Sequence, residues 1–270
     1  LAEYDALPKL GHACGHNLIS AATMGAALSL KKIIQNIPGK VVVMGTPAEE
    51  SGGGKIYLIK RGAFRDIDVA LIAHPAAKTL VAPRSLAWEP LRIKFYGKPA
   101  HAGSSPQEGV NALNAIIETF NSVNALRQHL TDDIRIHGII THGGDAVNVV
   151  PEFAQADFLI RAQTLDCLGQ TVEKIKSCAK GAATATGTAV EFEKTGPIYK
   201  PMKGNKPLET TFAKNLEFLG IPYILRDSKV SMGSTDMGNV SWEIPSIHPQ
   251  YSISKKNIVG HTAEFAEQAI

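Results

Sequence analysis

The succession of hydrophobic periods between Glu89 and Lys194 constrains the fold of this chain more than any other feature. Glu89-Pro90-Leu91-Arg92-Ile93-Lys94-Phe95-Tyr96 alternates like a half-exposed strand. A helical stretch from about Gln107 to Leu130 follows, then alternating segments near Ile134–Thr141 and Glu152–Ala162, a second helix near Leu168–Ala185, and a last strand near Thr188–Lys194. The order β-α-β-β-α-β predicts a ferredoxin-like α+β sandwich. With Pro90 and Pro197 at its borders, the segment 87–195 reads as a domain inserted into another formed by 1–86 and 196–270.

The flanks carry a different pattern. From Leu18 to Ile34, small and apolar residues recur at helical spacing (Ile19, Ala22, Ala26, Leu30, Ile33) up to Pro38-Gly39, which predicts a buried helix. Val41-Val42-Val43-Met44 and Val69-Ala70-Leu71-Ile72-Ala73 are continuous apolar runs of strand length, as covered strands of a parallel sheet read. Lys55–Phe64 fits the crossover helix between them. The expected fold class is therefore α/β: a helix-covered, mostly parallel sheet, completed by helix and short strand after residue 197, plus the inserted α+β domain. A chain of 270 residues with 44% hydrophobic content is long enough for both cores.

Bulk properties exclude several classes. A net charge of +3 without a basic block gives no reason to expect nucleic acid or an anionic membrane surface as partner. No apolar run approaches the ~20 residues of a membrane helix, and no signal segment opens the chain. Cys14, Cys167 and Cys178 are too few and too scattered for a disulfide framework, so a reducing, cytoplasmic setting is expected. Leu1 in place of Met, and helical turns from Thr262 that stop at Ile270, read as the ends of a fragment.

The chemistry-bearing residues collect around the strand ends. His12-Ala13-Cys14-Gly15-His16 places three metal-binding side chains on alternate residues of a glycine-rich turn, and Cys with His suits zinc or a similar divalent ion. Thr46-Pro47-Ala48-Glu49-Glu50 follows the first apolar run and His74-Pro75 the second, where open α/β sheets build their sites. Alone, a Glu pair is an ordinary solvated loop or helix start. Beside metal ligands it allows a division of labour, one carboxylate on metal and the other taking a proton from a metal-activated water. Gly52-Gly53-Gly54-Lys55 is not a phosphate loop, because that pattern needs Gly at 49 and Ser or Thr at 56, where the chain has Glu49 and Ile56. The triple glycine instead lets backbone approach the site and start the next helix. His101, in Lys98-Pro99-Ala100-His101-Ala102-Gly103, is a lone histidine at a strand end; Asn148 lies in a loop; Arg161 is suited to a carboxylate, which it can grip bidentately. A final ligand could come from His248 or His261, and spacing alone does not choose between them.

The motifs Asp5-Ala6-Leu7-Pro8, His12-Ala13-Cys14-Gly15-His16, Pro47-Ala48-Glu49-Glu50, Ala73-His74-Pro75, His101-Ala102-Gly103, Asn148-Val149-Val150-Pro151 and Gly260-His261-Thr262 run in order through nearly the whole chain. Together they resemble the aminoacylase and glutamate-carboxypeptidase-like metallopeptidases. Within that family the chain is similar to the amidohydrolase branch of aminobenzoyl-glutamate hydrolases, auxin-conjugate hydrolases and a β-alanyl dipeptidase. The resemblance implies a catalytic domain with two divalent ions per subunit, zinc or manganese with cobalt possible, and an inserted lid domain that forms a homodimer. It implies Cys14, His16, Glu50, His74 and His261 as metal ligands, Glu49 as general base, and Asp5 behind a ligand, orienting it. It also implies His101 reaching into the partner's site to polarise the scissile carbonyl, with Asn148 and Arg161 holding the substrate near its carboxylate. On this basis His261 is preferred to His248, which lines the site at most, and His12 supports the turn. Where many relatives carry Asp after the second histidine, this chain has Asn17. The implied reaction is hydrolysis of an amide bond in a small N-acyl amino acid or dipeptide; the alternative is a non-catalytic, metal-binding relative that self-associates.

Overall fold

The computed structural model describes residues 9–36, 38–50, 52–226 and 233–269. Asp5 lies outside them. The chain divides into two compact units, one made of the residues up to Ser85 with those from Lys200 on, the other of Leu86–Tyr199.

The first unit begins with α1 (His16–Lys31), entered through Gly15 in the left-handed conformation at φ 69°. The helix is where its periodicity predicts, but it is not buried. Among its described residues only His16 and Ile19 are buried, while Ala22 and Ala26 are exposed and Leu30 and the following Ile33 are 42% and 51% exposed. Periodicity specifies an apolar face, and a partner element must exist to cover it. The strand expected at Val41–Met44 is also absent: the segment joins no ladder, and Val41, Val42 and Val43 stay 43–45% exposed. An apolar run becomes a strand only when a neighbour satisfies its backbone groups. Next come α2 (Gly54–Lys60), shorter than the expected crossover helix, then β1 (Ala70–Leu71) and β2 (His74–Ala76).

The second unit runs β3 (Ala87–Tyr96), α3 (Ala112–Arg127), β4 (Arg135–His142), β5 (Phe153–Ala162), α4 (Leu165–Thr186) and β6 (Ala189–Glu193). Its antiparallel sheet has the order β4-β5-β3-β6, so the β-α-β-β-α-β succession read from the sequence is the one formed. Alternation in β3 and β5 puts Leu91, Ile93 and Phe95 with Ala154, Ala156, Phe158 and Ile160 on one face, all buried. Ala115, Ile116 and Val123 of α3 and Leu168, Val172, Ile175 and Ala179 of α4 complete that core. Bulky residues face small ones across the ladder: Ile93 pairs with Ala156, and Gly138 opposite Phe158 leaves room that a Cβ, 2.7 Å from the ring, would close. Side-chain caps set the helix starts, Asn111 Oδ1 accepting from the Asn114 N–H at 3.1 Å and Thr164 Oγ1 from the Cys167 N–H at 3.1 Å.

The chain then returns to the first unit with α5 (Lys206–Phe218), α6 (Met237–Glu243), β7 (Ser246–Ile247), β8 (Gln250–Ser252) and α7 (Ala263–Gln268). Both of its strand pairs are parallel, β1 with β7 and β2 with β8, in the registers Ala70↔Ser246 and His74↔Gln250. The partners of the Val69–Ala73 region thus come from the end of the chain, not from residues 41–44. Ile19, Phe64, Ile72, Met237 and Val240 form the small core beneath. Among the described residues no helix is long and apolar enough to cross a membrane.

Candidate metal centre

The turn before α1 is built by backbone contacts. The Gly15 N–H donates to the His12 carbonyl at 2.9 Å, and a Cβ on Gly15 would stand 2.5 Å from Pro75 Cγ. Glycine therefore lets the turn lie directly against β2, which carries His74. Cys14 Sγ comes to 3.5 Å from His74 Nε2, and His74 Nδ1 lies 2.7 Å from the Pro75 carbonyl. A carbonyl only accepts, so Nδ1 carries the proton and Nε2 turns its lone pair toward Cys14, the orientation typical of a metal-binding histidine.

His261 is delivered by a second backbone link, its N–H donating to the Ala13 carbonyl at 2.8 Å, with its own φ at 62° in the left-handed region. Glu50 lies between two imidazoles: Oε1 is 3.5 Å from His16 Nε2, and Oε2 is 3.5 Å from His261 Nε2. Three sets of donor atoms come within 4.8 Å of one another: Cys14, His16 and His74; Cys14, Glu50 and His261; His16, Glu49 and Glu50. Cys14 is common to the first two.

The electrostatics separate the two carboxylates. Burial, partly opposed by the Lys55 ammonium and a hydrogen bond from the Thr235 hydroxyl, pushes Glu49 up to about 7. Burial also raises Glu50, but the hydrogen bond and charge of His261, with His16 and Cys14, outweigh it and hold Glu50 below the usual carboxylate range. Burial lowers His74 to about 4 against its hydrogen bond to Pro75, so it stays neutral near pH 7 with its lone pair available. His248, its ring 5.5 Å from that of His74, is pushed well below the usual imidazole range by burial and then by the charges of His74, Lys55 and His16. It lines the cluster beside His74. His12 enters no three-donor group among the described residues, and its carbonyl closes the turn.

Sequence reasoning missed Lys55, Thr235 and Asp236. Lys55 Nζ lies 2.6 Å from Asp236 Oδ1 with both side chains almost wholly buried, and Thr235 reaches Glu49. The available signal is a lysine directly after the triple glycine, a position that in the sequence alone suggests only a phosphate-loop lysine.

The remaining candidates belong to the second unit. His101 is exposed, and its Nδ1 accepts from the N–H groups of Gly103 at 3.2 Å and Ser104 at 3.1 Å. Its proton therefore sits on Nε2, ready to donate. Asn148 is beside it, its carbonyl accepting from the Ala102 N–H at 2.9 Å. Arg161 is not. It pairs with Trp88 at the other end of the ten-residue β3, its guanidinium 5.5 Å from the Trp88 ring. His101 and Asn148 lie beyond the Tyr96 end, on the order of 25 Å away at ~3.3 Å per strand residue. Arg161 and Asn148 of one chain therefore stand toward opposite ends of the same sheet.

The sequence pattern of peptidase family M20/M25/M40 matches residues 2–270. The chain is 41% identical to a mouse Xaa-Arg dipeptidase over 275 residues, covering 100% of this chain and 64% of that protein. It is 35% identical to one component of the p-aminobenzoyl-glutamate hydrolase of Escherichia coli over 245 residues, 82% of this chain and 50% of that one. Among solved structures, a dinuclear metal binding peptidase of the M20 family from Bacillus subtilis superposes with a TM-score of 0.69 at 18% identity, covering 96% of this chain and 70% of that one. The chain thus spans just under two thirds of the length of the mouse relative and half that of the Escherichia coli protein. On the strength of the match through residues 2–270, the chain belongs to the M20/M25/M40 family of peptidases.

Proposed function

We propose that this chain holds two divalent ions and hydrolyses the amide bond of a small N-acyl amino acid or dipeptide carrying a free carboxylate. The observation that carries this reading is the convergence of Cys14, His16, Glu50, His74 and His261 donor atoms in overlapping groups, with the buried Glu49 carboxyl directly beside them. The donors suit such ions: a thiol, imidazoles and a carboxylate are the ligands zinc and manganese accept, and Glu50 Oε1 is buried without a hydrogen-bond partner. Cys14, His16, Glu50, His74 and His261 would hold them. Bound there, the ions supply the Lewis acidity that acidifies water and polarises a carbonyl.

Glu49 is the general base: its Oε takes the proton of the attacking water and returns it to the leaving amine, for which a group titrating near 7 is well poised. The partner's His101 donates a hydrogen bond from its Nε2–H to the carbonyl oxygen and so polarises it, with Asn148 of the partner subunit beside it. Arg161, at the opposite end of its own sheet, holds the substrate carboxylate in a different site from the one its own His101 serves. Self-association through the second unit, which acts as a lid, is supported by the edge strand β4, where Ile139 is 65% and Ile140 44% exposed. A cytoplasmic setting fits cysteines as few and scattered as Cys14, Cys167 and Cys178.

Glu49→Gln tests the reading. It should keep the bound zinc or manganese of the parent and lower kcat by about 10²–10⁴-fold, and mixing it with His101→Ala protein should restore activity through hybrid dimers. Retained turnover in Glu49→Gln would remove Glu49 from the reaction. Metal binding by a parent that turns over no N-acyl amino acid or dipeptide would favour a non-catalytic, metal-binding relative. No recovery on mixing, after verified subunit exchange, would return His101 to its own chain.

A further inference from the structure

Lys55 and Asp236 are a charge pair removed from water, 1% and 0% exposed, and no step of the proposed reaction uses them. Asp236 spends both carboxylate oxygens on one residue, Oδ1 accepting from Lys55 Nζ at 2.6 Å and Oδ2 from the Lys55 backbone N–H at 3.0 Å. A buried ion pair is about as stable as an apolar pair of the same volume, so stability alone gives little reason for it. Its position gives one. Thr235, the residue before Asp236, donates its hydroxyl to Glu49, and that oxygen accepts in turn from the Met237 N–H at 3.3 Å. Gly54, the residue before Lys55, donates its N–H to the Ala48 carbonyl at 3.2 Å, and a Cβ there would stand 1.8 Å from the Pro47 oxygen. Ala48 itself sits at φ 60°, a left-handed conformation that a non-glycine residue keeps only when its surroundings enforce it.

These links close a ring: Glu49 to Thr235, along the chain to Asp236, across to Lys55, back to Gly54, across to Ala48, and along the chain to Glu49. The α6 side of the ring is itself anchored, because Asn239 Oδ1 accepts from the Lys200 N–H at 3.1 Å and Ser241 Oγ from the Lys203 N–H at 2.9 Å. We propose that Lys55 and Asp236 are positioning residues, which clamp the turn bearing Glu49 onto the start of α6 and so fix where the Glu49 carboxyl points. Their catalytic consequence rests on the general-base reading of Glu49; the mechanical one does not.

The test is the double variant Lys55→Met with Asp236→Leu, together with Thr235→Val, which removes the hydroxyl link and leaves the ion pair whole. Backbone amide exchange over residues 46–54, melting temperature and bound zinc are measured on each, and kcat and KM for hydrolysis of an N-acyl amino acid. Thr235→Val should melt near the parent and the double variant lower, because Asp236→Leu also strips the Lys55 backbone N–H of its acceptor; both should hold the same zinc, while amides of the turn exchange about tenfold faster. Misplacement of a reacting group on the order of 1 Å costs about 10²-fold, so kcat should fall by about that factor with KM little changed, and Thr235→Ser should recover it. Parent-like exchange in Thr235→Val, or in a stable double variant, would overturn the clamp whether or not the chain hydrolyses anything. Faster exchange with kcat unchanged would keep the clamp and remove Glu49 as the base.

Discussion

The two units bury different things. In Leu86–Tyr199 the interior is one aliphatic and aromatic layer between a four-stranded sheet and two helices, and Glu89, Thr119 and Thr171 are its buried polar residues among those described. In the other unit the strand pairs are two and three residues long and the apolar cluster is small, whereas His16, Glu49, Lys55, Asp236, Asn239 and Ser241 are all buried. Desolvating polar and charged groups costs free energy that an apolar core does not. One unit is therefore a scaffold whose residues are answerable to packing, and the other a site whose residues are answerable to geometry and charge.

The sharpest way to break that contrast is to damage the scaffold and look for damage at the site. Phe158→Ala, in the core layer of the second unit and 4.8 Å from the Phe120 ring, should lower stability by about 3–5 kcal/mol, read by denaturant unfolding. Bound zinc at the Cys14 cluster should stay at the parental level under native conditions; its loss would mean that the site also depends on this core.

A smaller effect separates the site by pH. The folded-state carboxyl of Glu49 is raised from 4.5 to about 7, so its contribution to stability is fully present below pH 4.5 and is lost as pH rises through 7. His74, lowered from 6.5 to about 4, acts in the opposite sense: its contribution is present above 6.5 and lost as pH falls through 4. In the metal-free protein the two largely cancel. Glu49→Gln should unmask the dependence of His74 and of His248, which burial lowers in the same sense, its stability relative to the parent rising by about 3 kcal/mol between pH 4.5 and 7. Parallel stability curves for parent and variant would show that Glu49 titrates normally.

The smallest effect is expected at an ion pair that resembles the buried one on paper. Arg92 Nε and Nη2 donate to both oxygens of Asp157, at 2.7 and 2.9 Å, on the solvent face of the sheet. Arg92→Ala should leave the melting temperature within experimental error, because water screens such a pair. A measurable drop would place Arg92 with the scaffold's structural residues.

How much of this was legible in the sequence follows the same division. Each strand and helix of the middle segment formed near where its period placed it, and the main differences were at the helix starts, Ala112 behind the Asn111 cap against the expected Gln107 and Leu165 behind the Thr164 cap against Leu168. Each of those elements finds its partners within the same hundred residues, so local pattern and tertiary contact agree. In the first unit they disagree. Val41–Val43 has strand chemistry and no ladder, α1 has an apolar face with little upon it, and the neighbours of β1 and β2 come from Ser246–Ser252.

For the site, residue types at strand ends singled out Cys14, His16, Glu49, Glu50 and His74 as candidates and left His261 level with His248, between which only the family resemblance chose. Sequence by itself also determined the alternation that makes the second unit a two-layer sandwich. Only the tertiary structure decided that Cys14 is common to two donor groups, that Glu49 is the carboxyl raised and Glu50 the one lowered, and that Arg161 stands at the far end of its sheet from His101. It alone revealed Lys55 and Asp236, 181 positions apart, as one buried pair. The reason is physical: a period is a property of neighbours along the chain, but a charge's environment is set by whatever the fold brings beside it, and at this site that comes from both ends of the sequence.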